Sequence, residues 1–411
     1  MSTEKLESKR WWIAVAAIVM QLCLGTVYAW SVFKKPLMAS HGWSETATQL
    51  TFMICIGMIG LSAAFGGILV DKKGPRFVAT IGGLLFGVGT LLAGLADQTG
   101  NIWLLYLGFG LVAGLGNGFG YVTPIATLIR WFPDKRGMVT GLAVMGFGAG
   151  AFFMGQIGPR MVLSLGVAKT FYIWGAIFLV LVTATAQFYK NPPKGWLPAG
   201  FTPSAKSTSS ADSFTFSQAI HTRQWWMLWG MLFLNISAGL GLLSQLSPMA
   251  QDVLKKTITD PANLALAGGT ILAYASIFNG LGRLFWAWIS DAIGRRMVFI
   301  IMFITQAILY IILPQIGSEL LFTLFACYLL ACYGGGFATM PAFAADSFGP
   351  TYIGRVYGIM LTAWGAAGVV GPFVFASVKG IALYVAAVFL VVGLLLAIAY
   401  KRPQPKAAKP A

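Results

Sequence analysis

The chain has 411 residues, of which 57% are hydrophobic and only 10% are charged, and its net charge is +16. A globular domain carries roughly 25% charged residues, so this composition cannot cover a water-exposed surface. The excess of positive charge does not indicate nucleic-acid binding, because the lysines and arginines lie in short segments between apolar runs. The composition therefore predicts an all-α or β-barrel membrane protein without a nucleic-acid partner.

Apolar runs of about 20 residues recur along the whole chain, and a helix of that length crosses a bilayer core. The runs show no alternation of apolar and polar residues, which favours helices over a β-barrel. Residues 190–222 are rich in Pro, Ser, Thr and Lys and divide the chain into two six-helix halves, 1–189 and 223–411. The twelve predicted helices lie at about 11–33, 45–70, 76–96, 102–130, 137–161, 168–189, 224–247, 264–290, 296–314, 318–345, 354–378 and 380–400.

The distribution of positive charge predicts the orientation in the membrane. If the N-terminus is cytoplasmic, 20 lysines and arginines lie on the cytoplasmic side and 7 lie on the other side. The positive-inside rule then predicts a multi-pass protein of the cell membrane whose termini and central linker loop are cytoplasmic. One cation, Arg283, belongs to neither side because it falls inside the eighth predicted helix.

A charged motif occurs once in each half, after the second helix of that half. Residues 67–76 are repeated as residues 287–296, and an Asp, a Gly and an Arg return at an offset of 220. Parallel repeats of this kind occur in secondary transporters, which bind substrate at the midplane between the two bundles. The charges are predicted to form a conformational latch between the bundles, and the alternative is a solvated loop whose cations only set topology. The latch candidates are Asp71, Arg76, Asp291 and Arg296.

Four other segments carry a more specific combination of residues, namely 28–30, 130–137, 279–286 and 346–349. With the repeated motif and the two-half layout, they resemble the major facilitator superfamily and, within it, the oxalate:formate antiporter branch. That branch is similar to the monocarboxylate transporters, which move lactate and pyruvate. The resemblance implies a twelve-helix transporter with two pseudo-symmetric bundles that alternate access to one central site.

Two positions depart from the patterns of these families. The oxalate:formate antiporters carry a second essential cation, a lysine, on the eleventh helix, where this chain has Trp364. Animal monocarboxylate transporters carry an aspartate implicated in proton coupling four residues before the eighth-helix arginine, where this chain has Asn279. The first departure argues against dicarboxylate exchange, and the second leaves the route of a coupled proton unassigned.

Arg283 is the strongest candidate for binding substrate. A charged side chain inside the membrane costs about 2.5–3.5 kcal/mol on insertion scales, and a guanidinium cannot avoid this cost by losing its proton. The twelve acidic residues all fall at predicted helix ends or in loops, so none neutralises Arg283 within the membrane. Because the planar guanidinium matches a carboxylate in bidentate geometry, we expect Arg283 to bind the carboxylate of a substrate.

Further site candidates come from the neighbours of Arg283 and from the resemblance. Asn279 lies one helical turn before Arg283 and either contacts the substrate or guanidinium, or forms a helix–helix hydrogen bond. The resemblance implies that Tyr28, Tyr121, Tyr333 and Phe337 line the same cavity, although ordinary aromatic packing is the alternative. Asn117, one turn before Tyr121, is a weaker candidate for the substrate site.

The leading functional hypothesis is a proton-coupled symporter of lactate-like monocarboxylates that works as a monomer. The alternatives are an anion exchanger of the oxalate:formate kind and a sensor that binds solute without moving it. The sequence has no Walker motif, no cluster of metal-ligating residues and no nucleophile–base pair, so no cofactor, metal or enzymatic activity is expected. His41 and His221 fall in predicted loops, and Glu45 is the acidic residue first suspected as a proton carrier.

Overall fold

The computed structural model describes residues 3–134, 136–193, 196–198, 201, 214–349, 353–378 and 380–403. Within these ranges the regular elements are all helical, and twelve helices are long and apolar enough to span a membrane. The predicted all-α fold with twelve transmembrane helices is therefore confirmed. The spans are α1 Leu6–His41, α2 Glu45–Val70, α3 Pro75–Thr99, α4 Ile102–Trp131, α5 Gly141–Leu165, α6 Val167–Ala186, α7 Arg223–Leu254, α8 Pro261–Ile293, α9 Arg295–Gln315, α10 Glu319–Phe348, α11 Arg355–Ser377 and α12 Ala382–Ala399.

The first helix is longer than predicted and is not uniform. It contains a 3₁₀ segment, Thr26–Ala29, and then continues as Trp30–His41, well past its predicted end near residue 33. Pro36 lies inside this second part and does not end the helix. Membrane helices tolerate an internal proline because neighbouring groups satisfy the backbone carbonyl that it leaves free. Lys34 and Lys35, assigned to a loop from the sequence, therefore belong to α1.

The helices pack as two six-helix bundles. In the first bundle, α3 packs on α6, α2 packs on α4 and α1 packs on α5, and in the second bundle α8 and α7 pack on α10. The bundles meet where α2 packs on α11 and where α5 packs on α8. These two contacts are equivalent under the repeat, since each joins the second helix of one half to the fifth helix of the other. The domain limits at 189 and 223 remain a prediction.

Glycines allow the bundles to approach closely at both of these contacts. A Cβ atom placed on Gly60 of α2 would lie 2.7 Å from the Cα of Gly365 on α11. A Cβ atom on Gly148 of α5 would lie 3.1 Å from the Cα of Gly280 on α8. Gly60 and Gly280 are separated by the same 220 residues as the charged motif. Small residues at such crossings bring helix backbones together, so the two crossings form a pair of matched contact points for the bundles.

The even number of spans places both ends of the described chain at one face of the helical array, which we call the terminal face. The other side is called the opposite face. The loops that join α1 to α2 and α7 to α8 lie at the opposite face. The repeated motif, between α2 and α3 and again between α8 and α9, lies at the terminal face.

Candidate functional site

Arg283 lies inside α8 and only 2% of its surface is exposed. Its Nε donates a hydrogen bond of 3.3 Å to Oδ1 of Asn279, one turn earlier on the helix. Its guanidinium carbon lies 5.2 Å from the centre of the Phe337 ring on α10. Its Nη1 is buried and has no hydrogen-bond partner among the described residues. Within the same part of the chain, no carboxylate forms an ion pair with Arg283.

Glycines on two neighbouring helices make room for this polar face of α8. A Cβ atom on Gly148 of α5 would lie 2.6 Å from Oδ1 of Asn279 and 3.0 Å from Nε of Arg283. A Cβ atom on Gly334 of α10 would overlap the backbone carbonyl oxygen of Asn279 and lie 3.1 Å from Cγ of Arg283. Both bundles therefore contribute backbone directly beside Arg283, which places it at the interface between them.

Two tyrosines join the bundles next to Arg283. The hydroxyl groups of Tyr28 on α1 and Tyr333 on α10 form a buried hydrogen bond of 2.6 Å. The hydroxyls of Tyr28 and Tyr121 both interact electrostatically with the guanidinium of Arg283. The structure thus brings five of the predicted side chains around the arginine, from both halves of the chain: Asn279, Tyr28, Tyr121, Tyr333 and Phe337.

Two aromatic residues that the sequence did not assign to the site complete its wall. Phe147 on α5 packs edge-on against Tyr28 and Tyr121, with ring centres 5.1 and 5.0 Å apart. Trp364 on α11 lies 5.1 Å from both Tyr121 and Phe337 between ring centres. In the sequence, Trp364 is notable only as a departure from a family pattern. Nothing in the sequence marks Phe147 as a site residue, and only its position on an interface helix of the structure does so. The result is one cation inside an aromatic enclosure.

Asn117 occupies a different position from the other candidates. Its side-chain amide donates a 2.8 Å hydrogen bond to the backbone carbonyl of Leu24, so it joins α4 to α1 within the first bundle. Its Oδ1 is buried without a partner among the described residues. A direct role in binding substrate remains a prediction, and in this conformation Asn117 holds two helices together.

The latch candidates lie at the terminal face. Asp291 forms an ion pair with Arg295, and Nε of Arg295 donates to Asp346 on α10 at 3.3 Å. Arg296 donates to the carbonyls of Ala397, at 2.9 Å, and Ile398, at the end of α12. These contacts fasten α8, α9, α10 and α12 to each other inside the second bundle. Arg76 is exposed, and the side chain of Asp71 lies outside the described part of the structure.

We expect Asp291→Asn to slow turnover while leaving substrate affinity within about threefold of wild type. Asp291 lies eight residues after Arg283, or about 12 Å along the helix at 1.5 Å per residue, so it does not reach the central site. Its ion pair with Arg295 is part of the contacts that order the terminal face. Initial rates measured over a range of substrate concentrations in proteoliposomes test this, with exposed Glu319→Gln as the control. A large loss of affinity at unchanged turnover would contradict this role.

A second buried cation lies nearer the opposite face and was missed by the sequence analysis. Lys34 is 1% exposed, and its ammonium contacts Oε1 of Glu45 on α2 and Oε1 of Gln245 on α7. Lys35 donates to Oε1 of Gln251 at 3.1 Å. Four of these side chains, Lys34, Lys35, Glu45 and Gln245, line a cavity of about 270 Å³ between the bundles. Counting Lys34 as a loop residue was wrong, because Pro36 does not end α1 and the lysine stays within the helix.

The two histidines stand apart from Arg283. His41 is the last residue of α1, and its Nε2 lies 2.7 Å from a carboxylate oxygen of Asp97 at the end of α3. Its ring stacks on Trp43 with 4.4 Å between centres. His221 is exposed beside the short helix Phe216–Ile220. Neither histidine contacts the central site.

Comparison with known proteins gives the family of the chain. A sequence profile described as Major Facilitator Superfamily matches residues 13–372 and 262–411. The chain belongs to the major facilitator superfamily. The predicted resemblance is confirmed, and this superfamily consists of transporters rather than enzymes.

Individual relatives agree with this placement. The oxalate:formate antiporter of Oxalobacter formigenes is 28% identical over 90% of this chain and 85% of its own length. Apicoplast pyruvate carrier 1 of Toxoplasma gondii is 24% identical over 86% of this chain and 81% of its own length. A crystal structure of a bacterial homologue of the human lysosomal transporter Spinster, inward-facing and unoccupied, superposes with a TM-score of 0.72. The superposition covers 95% of this chain and 96% of the Spinster homologue, with 15% sequence identity, and it supports the fold.

Proposed function

We propose that this superfamily member is a secondary active transporter of small monocarboxylates resembling lactate and pyruvate, coupled to protons and working by alternating access. The observation that carries the proposal is the Nη1 of Arg283, a buried cationic donor with no partner among the described residues. A carboxylate is the ligand that a guanidinium binds best, because two parallel N–H donors match its two oxygens. The chain is similar over most of its length to the oxalate:formate antiporter and to the pyruvate carrier. The substrates in both of those names are carboxylates.

The charge of the site favours a substrate with one carboxylate. Arg283 has no acidic partner in the described structure. The two other buried cations of that part of the chain do have one, because Lys34 pairs with Glu45 and Arg10 pairs with Glu7 and Asp134. Lys34 follows Tyr28 by six residues on α1, about 9 Å along a helix, so it also lies outside the aromatic enclosure. The eleventh helix presents Trp364 where the antiporters have a second cation. A second carboxylate would therefore be buried without a countercharge, which is costly.

The contacts between the bundles suggest how the site opens. Inter-bundle hydrogen bonds occur at the centre, between Tyr28 and Tyr333, and nearer the opposite face, where Lys34 contacts Gln245. Opening toward the opposite face requires these bonds to break, while the Lys34–Glu45 pair can stay together inside the first bundle. We assign the opposite face to the outside and the terminal face to the cytoplasm of a cell membrane, from the charge distribution. One chain encloses the whole site, which suits a monomer.

Proton coupling through the substrate itself fits the site best. The described residues around Arg283 are an asparagine and aromatic side chains, none of which is a carboxylate or a histidine. An arginine keeps its proton, so the group that changes protonation there is the bound acid. In this mechanism the anion binds to Arg283, a proton arrives through water in the open vestibule, and the neutral acid leaves the ion pair. Glu45 remains the alternative proton carrier because it is the acid paired with buried Lys34.

A pH-jump uptake assay in proteoliposomes tests the coupling. With an inward proton gradient and no internal substrate, a symporter accumulates labelled lactate above its equilibrium level, and collapsing the gradient with an ionophore abolishes accumulation. Neutralising Glu45, Asp97, Asp252, Asp260 and Glu319, and replacing His41, one at a time should leave this accumulation in place. A single substitution that preserves exchange but eliminates accumulation would identify that residue as the carrier and contradict coupling through the substrate.

The second candidate function is carboxylate exchange, which the 28% identity with the oxalate:formate antiporter favours. An exchanger requires internal substrate and gives no net uptake in the pH-jump assay. The same liposomes, preloaded with unlabelled acid, then show uptake that does not depend on the gradient. That pair of results would support exchange over symport.

A further inference from the structure

Three buried hydrogen-bond donors in the central site have no partner among the described residues. They are Nη1 of Arg283, Nδ2 of Asn279 and Nε1 of Trp364. The orientation of the Asn279 amide follows from its neighbour, because its Oδ1 accepts from Nε of Arg283 and the NH₂ group is left free. Trp364 is 1% exposed, so its indole N–H has no access to water. An unmade hydrogen bond on a buried donor is costly, so this set of donors fits a ligand rich in acceptors.

The Trp364 indole belongs to the same cluster of side chains as Arg283 and Asn279. The Phe337 ring contacts both sides of this cluster, 5.2 Å from the Arg283 guanidinium carbon and 5.1 Å from the Trp364 ring centre. Tyr121 interacts with Arg283 and packs against Trp364. The hydroxyls of Tyr28 and Tyr333 bond each other. Trp364 therefore shares two aromatic neighbours with Arg283, and its indole N–H is a neutral donor without a partner among the described residues.

We propose that Nε1–H of Trp364 determines specificity by donating to an oxygen on C2 of the substrate. Arg283 binds the carboxylate, Nδ2 of Asn279 donates to one of its oxygens as well, and the indole donates to a 2-hydroxyl or 2-oxo group. The site then prefers 2-hydroxy and 2-oxo monocarboxylates to acids of the same length without that oxygen. This inference rests on the proposed monocarboxylate transport.

The test compares lactate with propionate, which has the same three carbons and no oxygen on C2. Counterflow of labelled propionate in proteoliposomes is competed with unlabelled lactate, pyruvate or propionate. One hydrogen bond is worth about 0.5–1.5 kcal/mol, so wild type should prefer lactate and pyruvate by roughly three- to tenfold. In Trp364→Phe the inhibition constants of lactate and pyruvate should rise to that of propionate, which should stay within about twofold of wild type.

Two further variants separate the indole N–H from the bulk of the ring. Replacing Trp364 with β-(3-benzothienyl)alanine keeps the bicyclic shape and removes the donor, and it should give the same loss of preference. Trp30→Phe is the matched control. Trp30 is also buried with a partnerless Nε1, but its ring packs on Phe109, 5.2 Å between centres, inside the first bundle. This control should keep the wild-type preference.

The outcomes separate this inference from the function on which it rests. If wild type exchanges propionate and lactate but Trp364→Phe keeps its preference, or loses affinity for both acids equally, monocarboxylate transport stands and the role of Trp364 is overturned. Loss of the preference in Trp30→Phe as well would also overturn it. If wild type exchanges no short monocarboxylate, the proposed function fails, and the inference fails with it.

Discussion

Replacing Arg283 with lysine is expected to reduce monocarboxylate transport by about a hundredfold, although the positive charge is kept. Lysine presents a point charge without the planar fork that binds both carboxylate oxygens. It also lacks the Nε that donates to Asn279, so the amide that faces the substrate loses its anchor. A hydrogen bond to a charged group contributes roughly 1.5–3 kcal/mol, and losing one or two of them gives an effect of this size. Uptake of labelled lactate into proteoliposomes measures it.

Arg160→Lys is the matched control for this substitution. Arg160 lies on α5, is exposed and bonds its own helix through Gln156, so lysine should leave uptake near the wild-type rate there. Both variants are compared at equal amounts of protein in the membrane. Uptake by Arg283→Lys within threefold of wild type would contradict a direct role of the guanidinium.

Gly60→Ala is expected to reduce turnover at least tenfold by separating the bundles where α2 crosses α11. The added methyl group would lie 2.7 Å from the Cα and 2.9 Å from the backbone nitrogen of Gly365. Those are backbone atoms of a packed helix, so one helix has to shift as a whole. If the bundles rock on their glycine contacts, the added methyl group disfavours the conformation in which α2 and α11 are in contact. The variant then completes fewer transport cycles per unit time. Initial uptake rates at saturating substrate give the change in turnover.

The same change at Gly67 is the control, because Gly67 lies two turns further along α2. A Cβ atom there meets only a methyl group of Val122, at 3.9 Å, which is ordinary van der Waals contact. Transport by Gly67→Ala should remain within twofold of wild type. Equal transport by the two alanine variants would show that the α2–α11 crossing does not limit the conformational change.

Much of the fold was predictable because each membrane helix is a long apolar run, and the bilayer imposes helical structure on such runs. Arg283 was predictable for a related reason. A charge inside an apolar run stands out in the sequence, and its high cost indicates a functional use. The three site tyrosines and Phe337 were predicted from the family resemblance. An aromatic residue in a membrane helix does not by itself indicate that the residue lines a cavity.

What the sequence did not reveal depends on contacts between distant segments. Lys34 looked like a loop cation because a proline follows two residues later, and its burial results from Glu45 and Gln245 on two other helices. Phe147 and Trp364 belong to the site because α5 and α11 are the interface helices. In the charged motif the repeated Arg296 caps α12, whereas its neighbour Arg295 pairs with Asp291 and Asp346. Repetition in sequence identified the motif but not the partners.

Binding of labelled lactate to the purified protein, followed by scintillation proximity, tests whether Arg283 holds a single carboxylate. We expect saturable binding of lactate. Unlabelled lactate and pyruvate should displace the label, oxalate and malonate should do so at least tenfold less well, and Arg283→Lys should abolish the binding. Displacement by the dicarboxylates as strong as by lactate, or lactate binding that survives in Arg283→Lys, would contradict this role of Arg283.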